Sequence, residues 1–170
     1  MESRSKDLFK NTSILTISNF SSKILVFILV PLYTNVLTTA EYGTYDLIMS
    51  TIQVFIPFLT LNIVDGVLRF IMDKNVNTND VKLIGLKYIV CSIVGMALIL
   101  CINHFFEFWC GLKQYEVYTL LYFSFYVFNQ LFIQTAKGQE KIKELGIAGV
   151  ISTLVSLLMN ILLLVIIPLG

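Results

Sequence analysis

The residue that most needs a chemical explanation is Lys23, a cation near the middle of an apolar run covering residues 12–37. An ionisable side chain at that depth in hydrocarbon is costly and marks a functional position by default. Thr12, Thr16, Asn19 and Lys23 follow at intervals of four, three and four, which aligns them on one helical stripe. Continuing that period gives Phe27, Val30 and Thr34. A polar stripe ending in a cation reads as the wall of a cavity for an anionic, polar group. The bland reading is a structural lysine paired with a carboxylate elsewhere in the bundle.

A second cation, Arg69, stands four residues after Asp65. The two can pair with each other across one helical turn, or face a substrate; neither reading has the advantage. Upstream, Asp46, Ser50, Gln53, Pro57 and Thr60 also share a stripe. Pro57 removes one backbone hydrogen bond and can kink the helix. Further along, Tyr122, Tyr126 and Asn129 share a face. The deep polar groups among Tyr122, Tyr126, Asn129 and Gln130 need internal partners or water. Tyrosine faces and hydroxyls suit a sugar-binding wall, although helix packing is the safer reading. Gly149, Thr153, Ser156 and Asn160 are spaced four, three and four; small and hydroxyl residues let membrane helices approach closely, so packing is favoured over a cavity wall. His104 reads as a headgroup contact. The candidate substrate-binding set is Lys23, Arg69, Asn19, Gln53 and Asn129, with no catalytic, cofactor or metal residues.

These residues must be positioned by membrane helices. The chain is 56% hydrophobic and 14% charged, against about a quarter charged in a soluble domain. Apolar segments at about 12–37, 44–72, 83–106, 117–136 and 145–170 each approach the roughly 20 residues that cross a bilayer. Backbone polar groups in lipid must be satisfied within the segment, which imposes helices. Runs such as 24–30 and 157–167 do not alternate in polarity, against a transmembrane barrel. The fold class is therefore all-α, a polytopic transmembrane bundle of about five spans in one domain. The connections are too short for an extramembrane domain.

Ten of the twelve Lys and Arg residues fall on one side of these spans, Lys113 on the other, and Lys23 within the membrane. The basic side is cytoplasmic, so the N-terminus is inside and the C-terminus outside. A cleaved signal peptide fits poorly, because the first apolar region is too long and holds Lys23. Net charge is +1, giving no reason for a nucleic-acid partner. Cys91, Cys101 and Cys110 lack metal-ligand spacing and read as structural. No P-loop, nucleophile elbow or zinc-binding helix is present, and nothing resembles a channel filter. An enzyme has no residues to carry it.

Residues 37–71 contain Tyr42-Gly43-Thr44-Tyr45 at the start of the second span and Gly66-Val67-Leu68-Arg69-Phe70 near its end. Residues 134–165 combine a Gln, a basic turn and a helix with Thr, Ser and a mid-helix Asn. Together with the first span, including Pro31 and Tyr33, this pattern resembles the polysaccharide flippases of the MOP superfamily. The Gly-to-Arg spacing is one residue shorter than the family pattern. The resemblance implies part of one lobe of such a transporter in the bacterial inner membrane. It implies export of undecaprenyl-diphosphate-linked oligosaccharide by alternating access, and no cofactor. Arg69 matches the family motif, whereas Lys23 rests on its depth. Family members usually have twelve or more spans in two lobes, so an incomplete N-terminal lobe is the expectation. Its partners would be membrane lipid, the lipid-linked oligosaccharide, and a missing C-terminal lobe or a second chain. Two other readings stand beside this one. Multidrug efflux by a related transporter would favour an acidic cavity rather than Lys23. A non-transporting scaffold of a polysaccharide-assembly complex is the other.

Overall fold

A computed structural model describes residues 12, 13, 16, 20, 23, 24, 27, 30, 31, 33, 35–73 and 76–163, with only the backbone at Cys110. Helices dominate and no strand occurs among the described residues. They are α1 (Thr39–Thr60), α2 (Ile63–Ile71), α3 (Thr78–Phe106), a 3-10 turn (Cys110–Tyr115), α4 (Glu116–Gly138) and α5 (Ile142–Ile161). The described residues of 12–36 are also helical. The chain divides into two compact units, Met1–Tyr42 with Lys141–Gly170, and Gly43–Glu140. Among the described residues, α3 and α5 are each long and apolar enough to cross a bilayer, and α1 with α2 qualifies as one bent span. At 23 residues, α4 extends about 35 Å, but its tyrosines and amides dilute the apolar content.

Local chemistry sets the starts. Thr38 and Glu41 form a capping box at α1: the Thr38 N–H and hydroxyl both donate to Glu41 Oε2 at 2.7 Å, and the Glu41 N–H donates to Thr38 Oγ1 at 3.3 Å. Those donors hold the Glu41 carboxyl below its ordinary range, the hydroxyl first. Asn77 caps α3 by accepting from the Asn79 N–H. The helix therefore begins at Thr78, five residues before the apolar run, with Asp80 in its first turn.

The second span is not one helix. It breaks at Leu61 and Asn62, both left-handed with φ 49° and 51°, and its halves bend by 56°. The sequence places a kink at Pro57. The break comes four residues later: Pro57 removes a bond from the turn that precedes it, whereas the chain reverses where Asn62 tolerates the left-handed region. Leu61 in that region is uncommon and costs on the order of 1–2 kcal/mol.

In the unit Gly43–Glu140 the core is a set of stripes. On α3, Val81, Gly85, Ile89, Ser92, Met96, Leu100 and Asn103 are buried at intervals of three or four. On α4, Thr119, Phe123, Val127, Leu131 and Thr135 are buried at every fourth residue. Val67 and Ile71 of α2 and Ile52 of α1 complete the core. Buried hydroxyls close on their own helix, as Ser92 to the Ile89 carbonyl and Thr119 to that of Tyr115. A Cβ on Gly85 would lie 2.8 Å from Val67 Cγ2 and 3.0 Å from Leu131 Cδ1, so the absent side chain lets α2, α3 and α4 meet.

One end of this unit is tied by Asn103, which is 1% exposed. Its Nδ2 donates to Glu116 Oε1 at 2.9 Å and its Oδ1 accepts from the Trp109 N–H at 2.8 Å. Its carbonyl accepts from the Glu107 N–H, which closes α3. His104, read from the sequence as a headgroup contact, lies with its Nδ1 3.0 Å from Glu116 Oε2. Lys113 pairs with Glu107 and holds that carboxyl low. The connection read as a loop at 107–116 is thus an ordered turn, with Leu112 buried and Trp109 edge-on to Phe55.

In the other unit, Tyr33 donates to Asn160 Oδ1 at 2.7 Å, which joins the first helical segment to α5. Asn160 Nδ2 in turn donates to the Ser156 carbonyl. This stripe of α5 is used at least partly for packing.

Two outcomes follow. Gly85→Ala should lower stability by about 1–3 kcal/mol through overpacking. Combined with Val67→Ala, the loss should be smaller than the sum of the single losses; additive losses in detergent unfolding would reject the contact. Asn103→Ala leaves Glu116 Oε1 and the Trp109 N–H without a partner, and should cost on the order of 1–3 kcal/mol. An unchanged unfolding midpoint would show that the tie carries no stability.

Candidate functional site

The break in the second span opens a cavity of about 180 Å³ inside the unit Gly43–Glu140. Its polar wall comes from three elements: Thr60 at the end of α1, Asn62 at the break and Asp65 on α2, facing Tyr126, Gln130 and Gln134 on α4. The α4 residues recur every fourth position and stack on one face. Left-handed backbone at Leu61 and Asn62 turns α2 away from α1, which leaves room for the cavity.

The hydrogen bonds here are directional. Gln134 Nε2 donates to Asp65 Oδ1 at 2.7 Å, and Gln130 Nε2 donates to the Tyr126 hydroxyl at 2.9 Å. The Thr60 hydroxyl donates to the Ile56 carbonyl at 2.7 Å. The Tyr122 and Tyr126 rings stack at 6.2 Å. A carboxylate only accepts, so Gln134 must turn its amide nitrogen to Asp65. That leaves Gln134 Oε1 buried with no hydrogen-bond partner. Orphaned buried polar atoms are rare and call for an explanation.

The site residues read from the sequence are not gathered at this cavity. Lys23 is helical and exposed in the unit Met1–Tyr42 with Lys141–Gly170. Gln53 on α1, Arg69 in the last turn of α2 and Asn129 on α4 are all exposed in the other unit. Asn19 lies outside the described residues. Asp65 bonds to Gln134 and makes no ion pair with Arg69 among the described residues. Sequence reasoning noted Gln130 as needing a partner and passed over Gln134. The missed signal was the four-residue repeat Tyr126, Gln130, Gln134, which leaves the Asn129 stripe by one residue after Tyr126.

A second cavity of about 370 Å³ lies between α3 and α4 beside His104 and Glu116. Its wall is almost wholly apolar and offers little to a polar ligand. No cluster of three metal-binding side chains occurs among the described residues.

The family described as polysaccharide biosynthesis protein matches residues 8–170. No curated protein and no solved structure gives a match. Members of that family are transporters or flippases rather than enzymes, and they serve polysaccharide export or flipping. Membrane-length helices, the absence of strands among the described residues and a match running almost the length of the sequence agree: the chain belongs to the polysaccharide biosynthesis protein family, the polysaccharide flippases of the MOP superfamily.

Proposed function

We propose that this chain contributes to flipping undecaprenyl-diphosphate-linked oligosaccharide repeat units across the bacterial inner membrane by alternating access. The observation that carries the reading is the family match over residues 8–170. The proposed topology has five spans with a cytoplasmic N-terminus, supported by ten of twelve Lys and Arg residues on one side. Lys23 is the proposed diphosphate contact and Arg69 the second, with Asn19, Gln53 and Asn129 as neutral polar contacts. A diphosphate leaving water needs cations and donors to replace its hydration. Lys23 supplies such a charge within an apolar run, and Arg69 has no ion-pair partner among the described residues. A further lobe or a second chain would complete the path. The bent span at Leu61–Asn62 supports movement, because discontinuous membrane helices are a recurrent feature of transporters.

Asp65 in the cavity wall is the observation that favours efflux of cationic compounds instead. One experiment separates the readings: complementation of a bacterium lacking its flippase, using the longest natural form of this chain, with dye resistance scored in parallel. Wild type should restore surface polysaccharide without conferring dye resistance. Lys23→Ala should lower restoration by about tenfold or more at equal membrane levels, the size of one lost charge-assisted contact, and Lys23→Arg should retain most of it. Equal restoration by Lys23→Ala would remove Lys23 from the site and keep the flippase. Dye resistance without polysaccharide would favour efflux.

A further inference from the structure

We infer that the cavity at the broken span is a saccharide subsite that admits neutral and amino sugars and rejects acidic ones, with Asp65 as its specificity-determining residue. The inference rests on the flippase reading and names which end of the substrate this cavity takes.

The wall of the cavity carries both donors and acceptors. Three donors in the wall are engaged inside the protein: Gln134 Nε2 with Asp65, Gln130 Nε2 with Tyr126, and the Thr60 hydroxyl with its own helix; the Asn62 amide, the Tyr126 O–H and the second N–H of each glutamine amide stand beside them. The wall also holds oxygens without a partner: the buried Gln134 Oε1, and Asp65 Oδ2 and Gln130 Oε1, which make no hydrogen bond among the described residues. Unpartnered acceptors, one of them on a carboxylate, favour a ligand that brings O–H or N–H donors, and the remaining donors suit its ring and hydroxyl oxygens. A sugar ring carries several such donors, and its C–H face suits the Tyr126 ring, itself stacked on Tyr122. Among the described residues the wall contains no cation, so a diphosphate finds no countercharge in them. Asp65, itself exposed, adds a negative charge to the wall, which favours an ammonium group and penalises a second carboxylate.

The test uses the purified full chain in detergent and three soluble probes: N-acetylglucosamine, glucosamine and glucuronate. Affinities come from saturation-transfer NMR titrations. Wild type should bind the first two, with glucuronate at least about tenfold weaker. Asp65→Asn keeps shape and an acceptor oxygen but removes the charge; it should raise glucuronate binding and weaken glucosamine binding, leaving N-acetylglucosamine nearly unchanged. Gln134→Leu removes the orphan acceptor and should weaken all three. Equal binding of the three probes, no binding of any, or an unaltered preference in Asp65→Asn overturns the subsite. Binding is read without transport, so the two readings fail separately. Polysaccharide restored in cells with no sugar binding in vitro rejects the subsite alone. Sugar binding with no restoration, in a host whose own repeat unit the chain should accept, rejects the flippase alone.

Discussion

Hydrocarbon offers no hydrogen bonds, so each polar group carried into it must find its partner within the protein. That constraint organises what is seen between α1 and α4. Hydroxyls that face the core, such as Thr60, Ser92 and Thr119, turn back on carbonyls of their own helix. Asn103, the most demanding buried side chain, uses its amide nitrogen on Glu116 and its amide oxygen on the Trp109 N–H. Where an amide oxygen is left over, at Gln134, it borders a cavity. The site is therefore identified by an exception to a rule kept elsewhere in the same unit.

Much of the fold was legible because it follows from that same rule. Long apolar runs in lipid must be helices, and α3 and α5 fall where hydropathy places them. The ends were less legible, since capping acts on polar sequence outside the apolar run. Thr38 and Glu41 carry the spacing of a capping box, and Asn77 stands just before the first turn of α3. Both begin their helices several residues ahead of the hydrophobic boundary. The break at Leu61–Asn62 was not legible from Pro57, which weakens a turn without fixing where the backbone reverses. A leucine in left-handed conformation carries no sequence signal at all.

The cavity was legible only in part. Single-helix stripes show which residues share a face, but not which neighbour that face meets. Gln130 and Gln134 lie four apart as surely as Tyr122 and Tyr126 do, yet their meaning depends on Asp65, sixty-nine residues from Gln134 in sequence. Close packing supplies that meeting. Gly85 lets α2 and α4 converge on α3, and at Gly138 a Cβ would stand 2.8 Å from Ile71 Cγ2. By contrast, Gly43 and Gly66 of the family-like motifs have no side-chain neighbour closer than 3.9 Å to where a Cβ would be. Their place in those motifs is not explained by packing among the described residues.

The pairing of Asp65 links the two chemistries a lipid-linked sugar would demand. Asp65 and Arg69 are one turn apart on α2, where mutual neutralisation is the local default. Had it prevailed, the helix would present neither charge to a ligand. Gln134 instead holds Asp65 at 2.7 Å, and no ion pair joins Asp65 to Arg69 among the described residues. An amide does not cancel a carboxylate's charge; it only fixes its direction. The bond thus keeps a negative group turned to the cavity and leaves the guanidinium its full charge. A single neutral glutamine on α4 leaves both charges of α2 unneutralised.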